Sequence, residues 1–415
     1  MSKKIIFYLL LIGLLIRLGI GLWTGYNLNS DYAQIARNIA QAKGYSLDGL
    51  HPTAFRSPGY PLILAGIMFL FGQAKLPFIF LHALIAAINA VLCAQLGARL
   101  FQRKAGVVAG IIYIFIPYLA YQEAVSESGL VSLGLLAALY LLIQGRSGKN
   151  LFCIGLSGIM LAFSYLVRPT VGLIPIFISL ALLFDLRRQK KISWNMAAAV
   201  ILIFTFCVGI LPWGLRNKKV FARWYFSQTL FWDNLAKGNN ARTFQIYPYL
   251  SLDNYTYILH KNIPGFVDEF AIEDWIRQKA QAELHKFKAA DLIKGSLRKL
   301  FYLWHIRLVP YTDRIGNDAL DQTLDRKRSL TKNLVFSIPY ILLIISAGMG
   351  FGQERRRKRL LLFLAGFLLF FSMPYMIFFA YSRYATPVYF ILIILAARGL
   401  VFLAQKLNYL TQSAD

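Results

Sequence analysis

Acidic side chains are scarce in this sequence, and their positions are its first chemical signal. The 415 residues hold 19 Asp and Glu against 45 Lys and Arg. Twelve of the acids fall between Trp213 and Thr331. The other seven are Asp31, Asp48, Glu123, Glu127, Asp185, Glu354 and Asp415. Asp31 opens an amphipathic helix: Asn29-Ser30-Asp31 can cap it, Tyr32, Ile35, Ala36, Ile39 and Ala40 form its apolar stripe, and Gly44 ends it. A carboxylate there has two readings. It can satisfy the positive helix N-terminus, worth about 0.3–1 kcal/mol. It can also serve as a general base that takes the proton of an acceptor hydroxyl.

Glu123 and Glu127 follow Tyr118 and Tyr121 and stand at i,i+4 spacing, so on a helix they share a face. They read as two solvated loop acids. Alternatively, one of them completes a carboxylate pair with Asp31, or holds a divalent cation through oxygen ligands. Five bases belong beside these acids: Arg56, Arg168, Arg216, Lys237 and Arg383. Snorkelling at helix ends is one account of them. A phosphate clamp is the other, because guanidinium matches phosphate bidentately. Arg17 sits deeper, inside an apolar run, where it needs a polar partner in the bundle or must snorkel outward.

Other chemistries lack their residues. The five histidines show neither HxxxH nor HExxH spacing. No P-loop, GxGxxG or GxSxG is present, so nothing points to nucleotide hydrolysis or serine chemistry. Cys93, Cys153 and Cys207 lie in apolar runs and read as small core hydrophobes.

The elements that must position these residues follow from composition. The chain is 57% hydrophobic and only 15% charged, with a mean hydropathy of +0.53. Its apolar runs repeat at about 17–20 residues, the length of a membrane span. That predicts an all-α polytopic membrane protein. Ten spans are expected, near 5–23, 76–97, 104–121, 128–144, 150–166, 170–184, 194–212, 332–350, 360–379 and 384–404. The first, behind Met-Ser-Lys-Lys, resembles a signal peptide, but Arg17 interrupts it and no small-residue cleavage site follows. An uncleaved span is expected.

With both termini cytoplasmic, Arg99/Arg103/Lys104, Arg146/Lys149, Arg187/Arg188/Lys190/Lys191 and Arg355–Arg359 fall on the inner side. The net charge of +26 is then mostly an orientation signal, and a nucleic-acid partner is not expected. Pro58–Gly72 is apolar but only about 15 residues long, and a crossing there would invert every later basic loop. A re-entrant or interfacial helix is expected instead. Three units follow: a membrane module over 1–212 that carries the candidate catalytic residues and a first outer loop (24–75), a large outer segment over 213–331, and a C-terminal membrane module over 332–415. In the large segment Glu269–Lys288 and Ala290–Arg307 have helical apolar spacing, and the second suits a helix lying on the membrane surface.

Read in order, the motifs resemble a known family. They are Arg17 in the first span, Ser30-Asp31-Tyr32, Arg56-Ser57-Pro58-Gly59-Tyr60-Pro61, Ser126-Glu127 and Val167-Arg168-Pro169-Thr170. Then come Pro212-Trp213-Gly214-Leu215-Arg216-Asn217, the run from Trp232 to Asn240 that holds Lys237, and Ser382-Arg383-Tyr384-Ala385-Thr386-Pro387. The chain is similar to the GT-C integral-membrane glycosyltransferases, in the bacterial branch related to protein O-mannosyltransferases and lipid A aminoarabinose transferases. The resemblance implies a GT-C bundle of about ten transmembrane helices, with juxtamembrane helices in the first outer loop and a large outer loop. It implies a plasma-membrane enzyme with a polyprenyl-phosphate sugar donor, a lipid, glycan or protein acceptor at the outer face, and inversion at the anomeric carbon. Asp31 matches the family's first-loop acid and proposed base. Glu127 best matches the second acid, with Glu123 its alternative. Arg56, Tyr60, Arg168, Arg216, Lys237 and Arg383 become candidates for binding donor and phosphate. Asp31 lacks the acidic neighbour usual in the mannosyltransferase branch. Other readings are a lipid-linked oligosaccharide ligase or polymerase, and a lipid or sugar transporter. The transporter would call for acids at span centres and symmetric halves, and the sequence shows neither.

Overall fold

The computed structural model describes residues 1–184, 192–241, 243, 268–305 and 319–412. For 192–193, 319–333 and 410–411 only the backbone is described. The basic group Arg187–Lys191 lies outside the described residues.

Among the described residues the regular structure is all helical, apart from a single isolated bridge between Ser46 and Pro52. In order the helices are α1 (Lys3–Thr24), α2 (Asp31–Ala40), α3 (Gly59–Phe71), α4 (Lys75–Leu100), α5 (Arg103–Phe115), α6 (Pro117–Val125), α7 (Ser128–Gly148), α8 (Leu151–Val167), α9 (Leu173–Phe184), α10 (Ile192–Phe221), α11 (Phe231–Gly238), α12 (Glu269–Leu284), α13 (Ala289–Trp304), α14 (Ala319–Gln353), α15 (Lys358–Ile377) and α16 (Tyr389–Gln412). Short 3-10 turns at Pro169–Gly172 and Ser382–Val388 lead into α9 and α16.

Among the described residues, seven helices are long and apolar enough to cross a membrane. They correspond to the first, second, fourth, seventh, eighth, ninth and tenth expected spans. The third expected span is a broken pair, α5 and α6, bent by 60°. Pro117 at the first position of α6 explains the break, since it has no N–H to continue the ladder. The fifth and sixth correspond to shorter apolar helices, Leu151–Val167 and Pro169–Phe184. Helix α3 is another short one, 13 residues long, as expected for Pro58–Gly72. Its Pro61 falls in the first turn, where a backbone N–H would have no partner in the helix anyway.

Side chains pack α1 on α4, α4 on α5, and α8 against both α7 and α10. Helices α14 and α16 cross so closely that a Cβ on Gly350 would run into the Leu395 carbonyl, so only glycine fits there. At the crossing's far end Glu354 accepts from Arg398 at 2.7 Å, and Arg357 Nη1 donates to the Leu100 carbonyl at 2.6 Å.

Helix α13 forms where the apolar spacing placed it. Gly295, Lys299 and Leu303 make its buried face, while Ile293, Leu297 and Phe301 are exposed. Lys299 is only 2% exposed and works as a C-terminal cap for α15. Its ammonium donates to the Ile377 and Phe378 carbonyls at 3.1 and 3.0 Å and to Asn239 Oδ1 at 2.7 Å. Burial pushes Lys299 down to about 7. Between that value and its ordinary one near 10.4 the unfolded chain binds more protons, so stability rises with pH across this window. The expected result is a higher Tm in detergent at pH 9.5 than at pH 7, with that increment missing in Lys299→Met. An equal increment in the variant contradicts the assignment.

Candidate functional site

Asp31 stands at the first position of α2. Ser30 caps the helix by accepting from the Ala33 N–H at 3.3 Å. Ser30 thus supplies the side-chain cap, while Asp31 stands in the first turn, where its charge meets the helix N-terminus. Helix α2 ends at Ala40, before the expected Gly44. Asp31 Oδ2 accepts from Arg56 Nη2 at 2.6 Å, and the carboxylate is 44% exposed. The Arg56 guanidinium lies over the Tyr32 and Phe55 rings, 5.0 and 4.9 Å from their centroids.

A second pair lies close by. Glu127, at the N-terminus of α7, accepts from Arg168 Nη2 at 2.6 Å. Burial works to raise the Glu127 carboxyl, but the Arg168 guanidinium outweighs it and holds the group below the usual carboxylate range. Tyr32 lies between the pairs. Burial pushes its hydroxyl up to about 12; Glu127 adds to the rise, and Arg56 and Arg168 oppose it. Arg168 also lies over the Tyr384 ring at 5.5 Å. Arg383 lies over the Tyr381 and Tyr384 rings, within Coulombic range of Glu127. Lys237, near the end of α11, sits 4.8 Å from the Phe379 ring centroid in the same aromatic group. The structure thus gathers Asp31, Arg56, Glu127, Arg168 and Arg383, with Lys237 at the edge. Two buried N–H donors, Arg56 Nε and Arg168 Nη1, find no acceptor among the described residues.

The approach of the two pairs depends on Gly59. A Cβ there would meet the Leu166 carbonyl carbon at 2.8 Å and its oxygen at 2.9 Å. Glycine lets the start of α3 lie against the end of α8, which brings the segment that follows Arg56 up to the one that precedes Arg168. Gly59→Ala is expected to cost about 1–3 kcal/mol of stability and to lower the Tm. Gly66→Ala in the same helix meets nothing within 4 Å and should leave it unchanged or raised. Equal Tm values for the two variants would contradict the close-packing account.

Of the remaining candidates, Tyr60 packs edge-on against the Tyr32 ring, with centroids 5.2 Å apart, while Glu123 and Arg216 sit elsewhere. Glu123 is 1% exposed and pairs with Arg17, itself 3% exposed, at 3.2 Å. It also accepts from Tyr113 Oη at 2.6 Å and Asn89 Nδ2 at 3.2 Å. This is the polar partner that Arg17 required. Glu123 and Glu127 each face an arginine, and neither contacts Asp31. Among the described residues no three His, Cys, Asp or Glu side chains converge.

Tyr60 is buried in a hydrogen-bonded row. Its hydroxyl lies 2.6 Å from that of Tyr26 and 3.0 Å from His82 Nε2, and His82 Nδ1 lies 3.0 Å from the Glu123 carbonyl oxygen. Since Nδ1 must donate to that carbonyl, Nε2 accepts from Tyr60 in neutral His82. Arg216 is occupied by backbone, donating to the Thr53 carbonyl at 2.8 Å and the Tyr45 carbonyl at 3.3 Å.

Similarity to known proteins bears on the fold. A family model described as dolichyl-phosphate-mannose-protein mannosyltransferase matches residues 51–213. That stretch contains Arg56, Tyr60, Glu123, Glu127 and Arg168. No curated protein sequence matches the chain significantly. Among solved structures, the oligosaccharyltransferase AglB from Archaeoglobus fulgidus, in complex with an inhibitory peptide and a dolichol-phosphate, is similar over 99% of this chain and 52% of its own, with a TM-score of 0.54 and 13% identity. An Archaeoglobus fulgidus oligosaccharyltransferase tethered with an acceptor peptide has a TM-score of 0.49 and 13% identity, over 100% of this chain and 51% of its own. ArnT from Cupriavidus metallidurans, bound to undecaprenyl phosphate, has a TM-score of 0.36 and 11% identity, over 96% and 78%. The first superposition alone is close enough to speak for the fold, and the chain spans about half the length of that protein.

The chain is therefore a multi-pass membrane protein with the fold of the GT-C glycosyltransferases. Its residues 51–213 are similar to that mannosyltransferase family.

Proposed function

We propose that the protein transfers a sugar from a polyprenyl-phosphate donor to an acceptor hydroxyl at the outer face of the cytoplasmic membrane. The observation that carries this reading is the convergence of Asp31–Arg56 and Glu127–Arg168 around Tyr32, at one end of an apolar bundle. In the reaction the acceptor oxygen bonds to the anomeric carbon and the bond from that carbon to the phosphate oxygen breaks. Asp31 takes the acceptor proton, and polyprenyl phosphate leaves. Attack opposite the leaving group inverts the anomeric centre.

Asp31 suits the base role because Arg56 engages one oxygen, while the other has no partner among the described residues. Negative charge grows on the phosphate as the bond breaks, so preorganised cations help most there. Arg168, Arg383 and Lys237 are the candidates, and the acceptor-free N–H groups of Arg56 and Arg168 favour an anionic ligand. Glu127 holds Arg168 in place. The lipid tail is accommodated by apolar helix surface. The orientation, with both termini cytoplasmic, rests on the basic loops at the end of the bundle far from Asp31.

The family match favours a single sugar as the transferred unit, whereas AglB is an oligosaccharyltransferase. Product mass separates these. The test is mass spectrometry of envelope glycolipids and glycoproteins from cells with the gene, without it, and with Asp31→Asn. The expected result is one glycoform, heavier by one sugar, that is present only with the intact gene. Identical glycan profiles in all three strains would overturn the proposal.

A further inference from the structure

The segment from Thr53 to Arg56 is an irregular strap ahead of α3, with little secondary structure of its own, yet it carries the arginine that contacts Asp31. It is held largely from outside the first loop. Glu269, the first residue of α12 in the large loop, accepts from Thr53 Oγ1 at 2.6 Å and from the Ala54 N–H at 3.1 Å. It also accepts from Thr229 Oγ1. The Ala54 carbonyl accepts from the Thr229 N–H at 3.0 Å, and the Thr53 carbonyl accepts from Arg216. Tyr45 Oη donates to the Arg56 carbonyl at 2.8 Å. Ala54, Trp213 and Phe270 form a small apolar core beneath these bonds.

Among the described residues this carboxylate receives hydrogen bonds from neutral donors only, with the Arg216 guanidinium within Coulombic range, and at a helix N-terminus it acts as a multivalent acceptor. Here it joins three separate chain segments at one point. We propose that Glu269 is a positioning residue, fixing the strap and through it the Arg56 guanidinium that orients Asp31. By this account the large loop completes the catalytic geometry. The inference rests on the reading of Asp31 as base. It assigns Arg216 to the same joint, apart from the phosphate.

The test uses the purified full-length protein in detergent with Glu269→Ala and Glu269→Gln, and two independent readouts. Hydrogen–deuterium exchange over Thr53–Arg56 needs no substrate. Turnover with a polyprenyl-phosphate sugar gives kcat and donor KM. In Glu269→Ala, exchange in the strap should rise about tenfold or more with α7 and α8 unchanged. Its kcat should fall about tenfold to a hundredfold at a donor KM within about threefold of wild type, the signature of a misplaced group rather than a missing binding group. Glu269→Gln keeps the shape and an acceptor oxygen and should recover most of both. Unchanged exchange in Glu269→Ala overturns the strap, and faster exchange with wild-type kcat overturns the positioning role. If the wild-type protein shows no transfer at all, the functional reading fails and the positioning role falls with it. The exchange result then still decides whether Glu269 holds the strap.

Discussion

Replacing Asp31 by Asn is expected to slow sugar transfer about 100- to 10,000-fold, the range for removing a general base. Asn keeps the size of the side chain and can still accept from Arg56 at the position of Oδ2, so the α2 terminus and the strap should stay in place. What disappears is the ability to take a proton. Ser30 remains as the cap, so the stability cost should be limited to the helix-terminus charge, about 0.3–1 kcal/mol. The two readings of Asp31 therefore part in measurement. A helix-stabilising acid predicts a small Tm change with normal turnover, whereas a base predicts abolished turnover with a small Tm change. Donor KM should hardly move, because the carboxylate acts on the acceptor proton during transfer and does not hold the donor.

The second large effect is on stability. Arg17 and Glu123 are buried together in the bundle. Arg17 Nη2 donates to the Tyr113 carbonyl at 2.6 Å, and Nη1 faces Glu123 at 3.2 Å. Arg17→Met removes one charge and strands the other in an apolar setting, at a cost of about 3–5 kcal/mol. Pairing it with Glu123→Gln should restore most of that, since the neutral amide can still accept from Tyr113 and no charge is left unpaired. Thermal unfolding of the single and double variants in one detergent decides it. A single variant as stable as wild type would show that the pair carries no such coupling.

The sequence was most legible where a local pattern sufficed. The apolar runs marked the helices, including the short α3 and the amphipathic α12 and α13. Ser30-Asp31 marked the start of α2. Pairings across the chain were less legible, because nothing in periodicity says which charge meets which. Arg17 was seen to need a partner and Glu123 stood out as an acid, yet the two lie far apart along the chain. Arg17 inside an apolar run was the available signal, since a charge there is costly alone and much less so when paired. Arg216 read as a phosphate ligand because it stands among the outer bases at a span end, in the motif Pro212–Asn217; in the fold its donors point at the carbonyls of Thr53 and Tyr45. Glu269 looked like one more acid in a mixed-charge helix. Its role depends on the strap it meets, more than two hundred residues earlier, and no local rule reports such a meeting.

The most direct test of the central claim is transfer by the purified protein itself, with a synthetic polyprenyl-phosphate sugar of known anomeric configuration and a membrane extract as the acceptor source, the product's anomeric configuration being read by NMR. The account predicts a glycosylated product of inverted configuration, formed by the wild type and reduced at least about a hundredfold by Asp31→Asn. Product of retained configuration, or equal turnover in the variant, would contradict it.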